Sequence, residues 1–134
     1  MKNIKNYIII LGLLSILVSL IAWTADYTGM VYACPYCRVQ RTVIGVLGLA
    51  MVLPNYKSLL YIFGLRLSAF FAAVIAVEQN FMGWKKISNG DFQGFQQPVY
   101  ENAFLLSAGA FILISAQFII LFMRRFPHVA SLLK

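Results

Sequence analysis

Charge is scarce in this chain: 11% of its 134 residues are Asp, Glu, Lys or Arg, where a soluble domain carries about a quarter. Acidic residues are scarcest, four against eleven Lys and Arg. There is one histidine, His128, and there are two cysteines, Cys34 and Cys37. So few soft ligands exclude a tetrahedral zinc site built from this chain alone, because zinc takes four. No segment alternates apolar and polar residues with period two, which argues against a sheet. The net charge of +7 is dispersed rather than gathered into a patch, so nucleic acid is not an expected partner.

What is abundant is apolar: 61% of the residues are hydrophobic. Four runs, 4–23, 36–53, 59–81 and 103–123, suit a hydrocarbon core about 30 Å thick, which a helix crosses in roughly 20 residues. The expected fold is an all-α membrane protein, a four-transmembrane-helix antiparallel bundle forming a single domain over 1–134. The first run is longer than the core of a usual cleavable leader and reads as a span. It carries Gly12, Ser15 and Ser19 on one face, a stripe of small residues suited to close helix packing. Residues 54–58 form a tight turn, so runs two and three make an antiparallel hairpin. Run four, whose one strongly polar residue is Gln117, reads as scaffold.

The cations report orientation. Lys2, Lys5, Lys57, Arg124, Arg125 and Lys134 fall on one side if the runs alternate, while Lys85, Lys86, Asp26, Asp91 and Glu101 fall on the other. By the excess of Lys and Arg on the inner side, both termini are cytoplasmic. The cysteines then face the opposite compartment, which in a bacterium is the periplasm, where disulfides persist. Arg66 lies about 10 Å along the third run and reads as an anchor reaching back to water. The segment 82–101, with Trp84, Phe92, Phe95 and Tyr100 among its glycines, reads as a loop at the membrane interface, long enough to lie over the cysteines.

Chemistry concentrates in Cys34-Pro35-Tyr36-Cys37 and Arg41. A Cys-x-x-Cys pair switches between dithiol and disulfide, and Pro35 suits the first turn of a helix. Four residues apart, Cys37 and Arg41 share a helical face, with Cys37 about 6 Å nearer the outside. The cation and the helix dipole favour the thiolate, whereas burial favours the thiol. An arginine below the interface costs about 2.5–3.5 kcal/mol at a helix centre, which calls for a partner, and Glu78 near the outer end of the third run is the candidate. The tetrapeptide also occurs in glutaredoxins, which are soluble βαβ-containing folds without counterpart here.

Four runs, an outward Cys-x-x-Cys at the head of the second, and Cys34-Pro35-Tyr36-Cys37-Arg38-Val39-Gln40-Arg41 as Cys-x-x-Cys-x-x-x-Arg resemble the disulfide bond formation protein B (DsbB) family. A weaker likeness runs from Ser68-Ala69-Phe70 to Glu78-Gln79, where some members have Glu-His. The resemblance implies an enzyme of the bacterial inner membrane, a thiol:quinone oxidoreductase. It would take electrons from a periplasmic DsbA-like thioredoxin-fold protein and pass them to ubiquinone or menaquinone. On that footing the catalytic residues are Cys34, Cys37 and Arg41, with Cys37 facing the quinone, and the cofactor-binding residues are Cys37, Arg41, Glu78 and Gln79. No metal is expected.

Members of that family carry a second cysteine pair in the loop between the third and fourth runs, and residues 82–101 have none. Three outcomes follow: the partner's thiolate attacks Cys34 directly, another polypeptide supplies the missing cysteines, or redox activity is lost. The last leaves a non-catalytic membrane subunit with a structural disulfide. Two thiols could also serve as soft ligands for copper(I) in an assembly factor.

Overall fold

In the computed structural model, residues 2–31, 34–53 and 58–125 are described, the side chains of Lys2, Asn3, Phe95, Arg124 and Arg125 excepted. The turn expected at 54–58, apart from Ser58, and the tail bearing Pro127, His128 and Lys134 lie outside them, as does Lys57. Four long helices follow one another: α1 (Lys2–Tyr27), α2 (Pro35–Val52), α3 (Leu59–Ser88) and α4 (Ala103–Arg125), with a short 3-10 turn at Gly94–Gln96 before the last. No strand occurs among the described residues. By length and composition α1, α3 and α4 can each cross a membrane.

The helix α2 is not among those three, and its surroundings explain why. It packs against all three other helices, whereas α1 packs chiefly on α2. Its buried positions Gln40, Val43, Ile44, Leu47, Gly48 and Met51 recur at the three- and four-residue spacing of a helix face. Covered on several sides, it can carry Gln40 and Arg41 with little of either on its surface, while Arg38 stays half-exposed at its outer end. The large side chains of α1, among them Leu13, Leu14, Leu17 and Leu20, are by contrast exposed, as expected of a surface that meets hydrocarbon.

Small residues set how closely α1 and α2 approach. A Cβ placed on Gly48 would lie 2.8 Å from the carbonyl oxygen of Gly12, and one on Gly45 would lie 2.5 Å from Ser19 Oγ. Both are closer than a carbon can stand: at Gly12 and Gly48 the two backbones meet directly, and at Gly45 the Ser19 side chain takes the space a Cβ would need. Ser19 Oγ donates to the Arg41 carbonyl at 2.7 Å. Gly12 beside Gly48 and Ser19 beside Arg41 pair the helices in opposite senses. On the far side of α2, Gln117 of α4 donates to the Ile44 carbonyl at 3.1 Å and is fully buried.

The helix ends near the cysteines are made by glycine. Gly29 (φ 72°) and Gly90 (φ 77°) adopt the left-handed conformation just past α1 and α3. The N–H groups of Met30 and Asp91 reach back to the carbonyls of Ala25 and Lys86, both at 3.0 Å. This closure satisfies carbonyls that the helix end leaves open.

Two expectations are corrected. The segment from 82 onward does not leave the helix: α3 continues to Ser88. No breaker precedes Asn89-Gly90, Gly83 packs directly on Phe104, and Trp84 donates to Asn80 one turn earlier at 3.1 Å. At 30 residues the helix spans about 45 Å and outruns the hydrocarbon core. Arg66 does not simply reach for water either; its guanidinium lies over the Phe122 ring of α4, 5.1 Å from the centroid.

Candidate active site

Cys34 caps α2. Its backbone is extended (φ −103°, ψ 120°), Pro35 opens the helix, and its sulfur accepts the Cys37 N–H at 3.5 Å. That N–H belongs to the first turn, where no carbonyl is available to receive it, so the sulfur stands where a serine or aspartate oxygen stands in other helices. Both thiols are free and half-buried. The local sequence therefore places one sulfur at the positive end of the helix and the other in its first turn, where negative charge is favoured.

The group aimed at the sulfurs is an amide. Gln79 of α3, buried to 6% exposure, donates from Nε2 to Cys37 Sγ at 3.4 Å and to Cys34 Sγ at 3.7 Å. Its oxygen accepts from Gln40 Nε2 at 2.7 Å. Gln40 thus fixes which way the Gln79 amide points: with its oxygen engaged on one side, its NH2 must face the sulfurs. In the sequence Gln40 is only a variable position of the Cys-x-x-Cys-x-x-x-Arg motif; its signal is its place three residues after Cys37, on the same face.

Arg41 is turned toward α1. Its Nε donates to the Cys37 carbonyl at 3.2 Å and its Nη1 to the Ala22 carbonyl at 2.8 Å. Nη1 also lies 3.0 Å from an Asp26 carboxylate oxygen. The same carboxylate takes two bonds from Arg38, at 2.8 and 3.1 Å, and its side chain is 1% exposed. The partner of Arg41 is therefore Asp26 and not Glu78. Successive residues on a helix point about 100° apart, so turning Gln79 inward carries Glu78 to the exposed face of α3. Of the five residues expected in the site, the structure gathers Cys34, Cys37, Arg41 and Gln79 and leaves Glu78 out. Asp26 could have been found from the antiparallel pairing of α1 with α2, which sets the end of one helix beside the start of the next.

If this ion pair positions Arg41, Asp26→Asn will lower the midpoint of thermal unfolding in detergent by several degrees, while Glu78→Gln leaves it unchanged. A paired guanidinium left buried without its carboxylate is strongly unfavourable. Equal effects of the two variants would remove Asp26 from this role.

Two sides of the pair differ. Cys34 lines a cavity of about 410 Å³ together with Tyr36, Gln79, Phe92, Phe104 and Glu101; Cys37, Arg41 and Glu78 do not line it. Segment 91–102 forms its outer wall. That wall is tied down: Asn102 Nδ2 donates to the Gly94 carbonyl at 2.8 Å, and Phe92 meets Phe104 edge-on at 5.5 Å. On the other side, Cys37 stands with Arg41, whose guanidinium sits 5.7 Å from the Trp23 ring centroid. Arg41 Nη2 makes no hydrogen bond to any described residue. No group of three or more potential metal ligands occurs among the described residues.

The model of the family Disulfide bond formation protein DsbB matches residues 5–91, a stretch that holds both cysteines, Arg41 and Gln79. The chain belongs to the DsbB family. No curated protein and no solved structure matches it. The matched stretch takes in all but the first residues of α1, the whole of α2 and all of α3. As a DsbB-family member with long apolar helices, the chain is a membrane protein of disulfide bond formation, and at the level of the family its activity is that of a disulfide oxidoreductase.

Proposed function

We propose that this DsbB-family chain is a thiol:quinone oxidoreductase of the bacterial inner membrane. It crosses the bilayer four times as a single domain with both termini cytoplasmic, and it oxidises a periplasmic DsbA-like dithiol protein. The observation that carries this reading is the pair of sulfurs at the head of α2, held under one oriented amide and reached by different surroundings on each side.

The residues support defined roles. Cys34, which borders the cavity, receives the incoming thiolate, and Cys37 is the leaving sulfur. The Gln79 amide meets the negative charge that Cys37 then carries, already oriented and with no solvent to rearrange. Arg41 adds a fixed positive charge one turn below. The donor set beside Cys37 suits a quinone: an unengaged guanidinium N–H for a ring carbonyl, and the Trp23 ring as an apolar wall. When bound, ubiquinone or menaquinone supplies a two-electron acceptor. Gln79 can donate a hydrogen bond but cannot carry a proton in exchange as a histidine would.

Because segment 82–101 has no cysteine, the relay is shortened to direct exchange at Cys34. The test is turnover: purified protein in lipid nanodiscs with added quinone will oxidise a dithiol substrate with loss of one quinone per disulfide formed. No oxidation at all would favour a non-catalytic subunit with a structural disulfide, and dithiol oxidation that leaves the quinone untouched would overturn the quinone as its acceptor.

A further inference from the structure

The cavity on the Cys34 side is not built like a site for an uncharged ring. Besides Cys34 and Gln79 it is bordered by Lys86, Asp91 and Glu101, and by the amides of Gln93 and Gln97. Two carboxylates against one ammonium give the rim a net negative charge. At about 410 Å³ it falls in the range of ligand sites, about 300–1,000 Å³, and has room for a short stretch of chain. Its outer wall is non-helical from Asp91 to Gln93 and a single 3-10 turn thereafter, which leaves backbone polar groups at the rim. The wall is pinned through Asn102, itself 2% exposed, and through the edge contact of Phe92 with Phe104. A segment so fixed is a receiving surface and not a swinging arm.

We infer that this cavity receives a short segment of a partner polypeptide in which the reactive cysteine is flanked by basic residues, and delivers its sulfur to Cys34. This rests on the proposed function and deepens it by assigning the substrate's recognition. The pair enters as the Cys34–Cys37 disulfide, regenerated at the expense of the quinone acceptor. The incoming thiolate attacks Cys34 Sγ, forming a partner–Cys34 disulfide and breaking the Cys34–Cys37 bond, so that Cys37 leaves as a thiolate. The partner's second thiolate then attacks its own cysteine in that mixed disulfide. The products are the partner's disulfide and the Cys34/Cys37 dithiol, which holds the two electrons. Asp91 and Glu101 select the basic flanks, and the amides at the rim meet the segment's backbone.

The test isolates recognition from turnover. In the full-length Cys37→Ser protein in nanodiscs, Cys34 is the only thiol, and its attack on a pyridyl-disulfide peptide releases a chromophore whether or not quinone is present. A lysine-flanked cysteine peptide is expected to react about three- to tenfold faster than a glutamate-flanked one, the size that two or three rim charges give. Asp91→Asn with Glu101→Gln will abolish that preference, each peptide's rate being taken relative to that of a small neutral pyridyl disulfide on the same protein, and an unchanged midpoint of thermal unfolding will report an intact fold. Equal rates for the two peptides, or a preference that survives neutralisation, would overturn the inference. So would a short-tailed quinone that blocks peptide and small reagent alike, because the cavity would then belong to the acceptor. Peptide selectivity without quinone turnover would sink the enzyme reading and keep the docking site; turnover without selectivity would do the reverse.

Discussion

Cys37→Ser is expected to reduce quinone-dependent dithiol oxidation to the uncatalysed background. With no second sulfur the disulfide cannot form, and the amide of Gln79 has no leaving thiolate to meet. Cys34 remains competent. It can attack the disulfide of an oxidised partner, forming a mixed disulfide and releasing one partner thiolate, whose alkylation stops the return attack and preserves the adduct. A stable, reductant-sensitive adduct on non-reducing gels, absent from Cys34→Ser, is the companion result. Mass spectrometry of that adduct would identify the partner. Turnover that survives Cys37→Ser would take the cysteine pair out of the electron path and overturn the proposed mechanism.

The second large effect belongs to the amide pair. Gln79→Leu removes hydrogen bonds to a sulfur that becomes anionic. Bonds to charged groups contribute about 1.5–3 kcal/mol, so the dithiol step should slow about 10- to 100-fold with little change in KM. Gln40→Leu should slow it less, since the Gln79 amide is kept but is no longer oriented. In the Gln79→Leu background the further loss of Gln40 should have no effect on rate, because its whole influence passes through Gln79. Additive losses in that double variant would show that Gln40 acts on packing alone. A rate within twofold of wild type for Gln79→Leu would remove the amide from the mechanism.

Much of this arrangement was legible in the residues. The apolar runs begin within two residues of the four helices, but α1 and α3 continue past the ends of their runs to Tyr27 and Ser88, because a run of apolar residues marks the hydrocarbon-spanning stretch and not the helix end. The position of Pro35 marked the start of α2, and the Gly12, Ser15 and Ser19 stripe marked a face of close packing on α1, whose partner, α2, only the structure names. What stayed hidden depended on rotation and register between helices. Whether Glu78 or Gln79 faces α2 turns on about 100° of helix rotation, and both residues are polar enough for either place. Asp26 read as a loop charge because the apolar run stops before it, yet the helix continues to Tyr27 and carries the carboxylate into the ion pair. The extension of α3 to Ser88 was masked by the lysines and Trp84, which look like an interface segment until their neighbours on α4 are known.

The meeting of Gly12 with Gly48 has a reach beyond its own location. Two backbones in direct touch act as a key in a slot: α1 cannot roll about its long axis without colliding with α2. Asp26 lies fourteen residues farther along α1, about 21 Å, and rides on the same rigid rod. The bearing of its carboxylate on Arg38 and Arg41 is therefore set from the middle of the bundle, and bulk added at either glycine would be felt at the sulfurs as a change in guanidinium alignment.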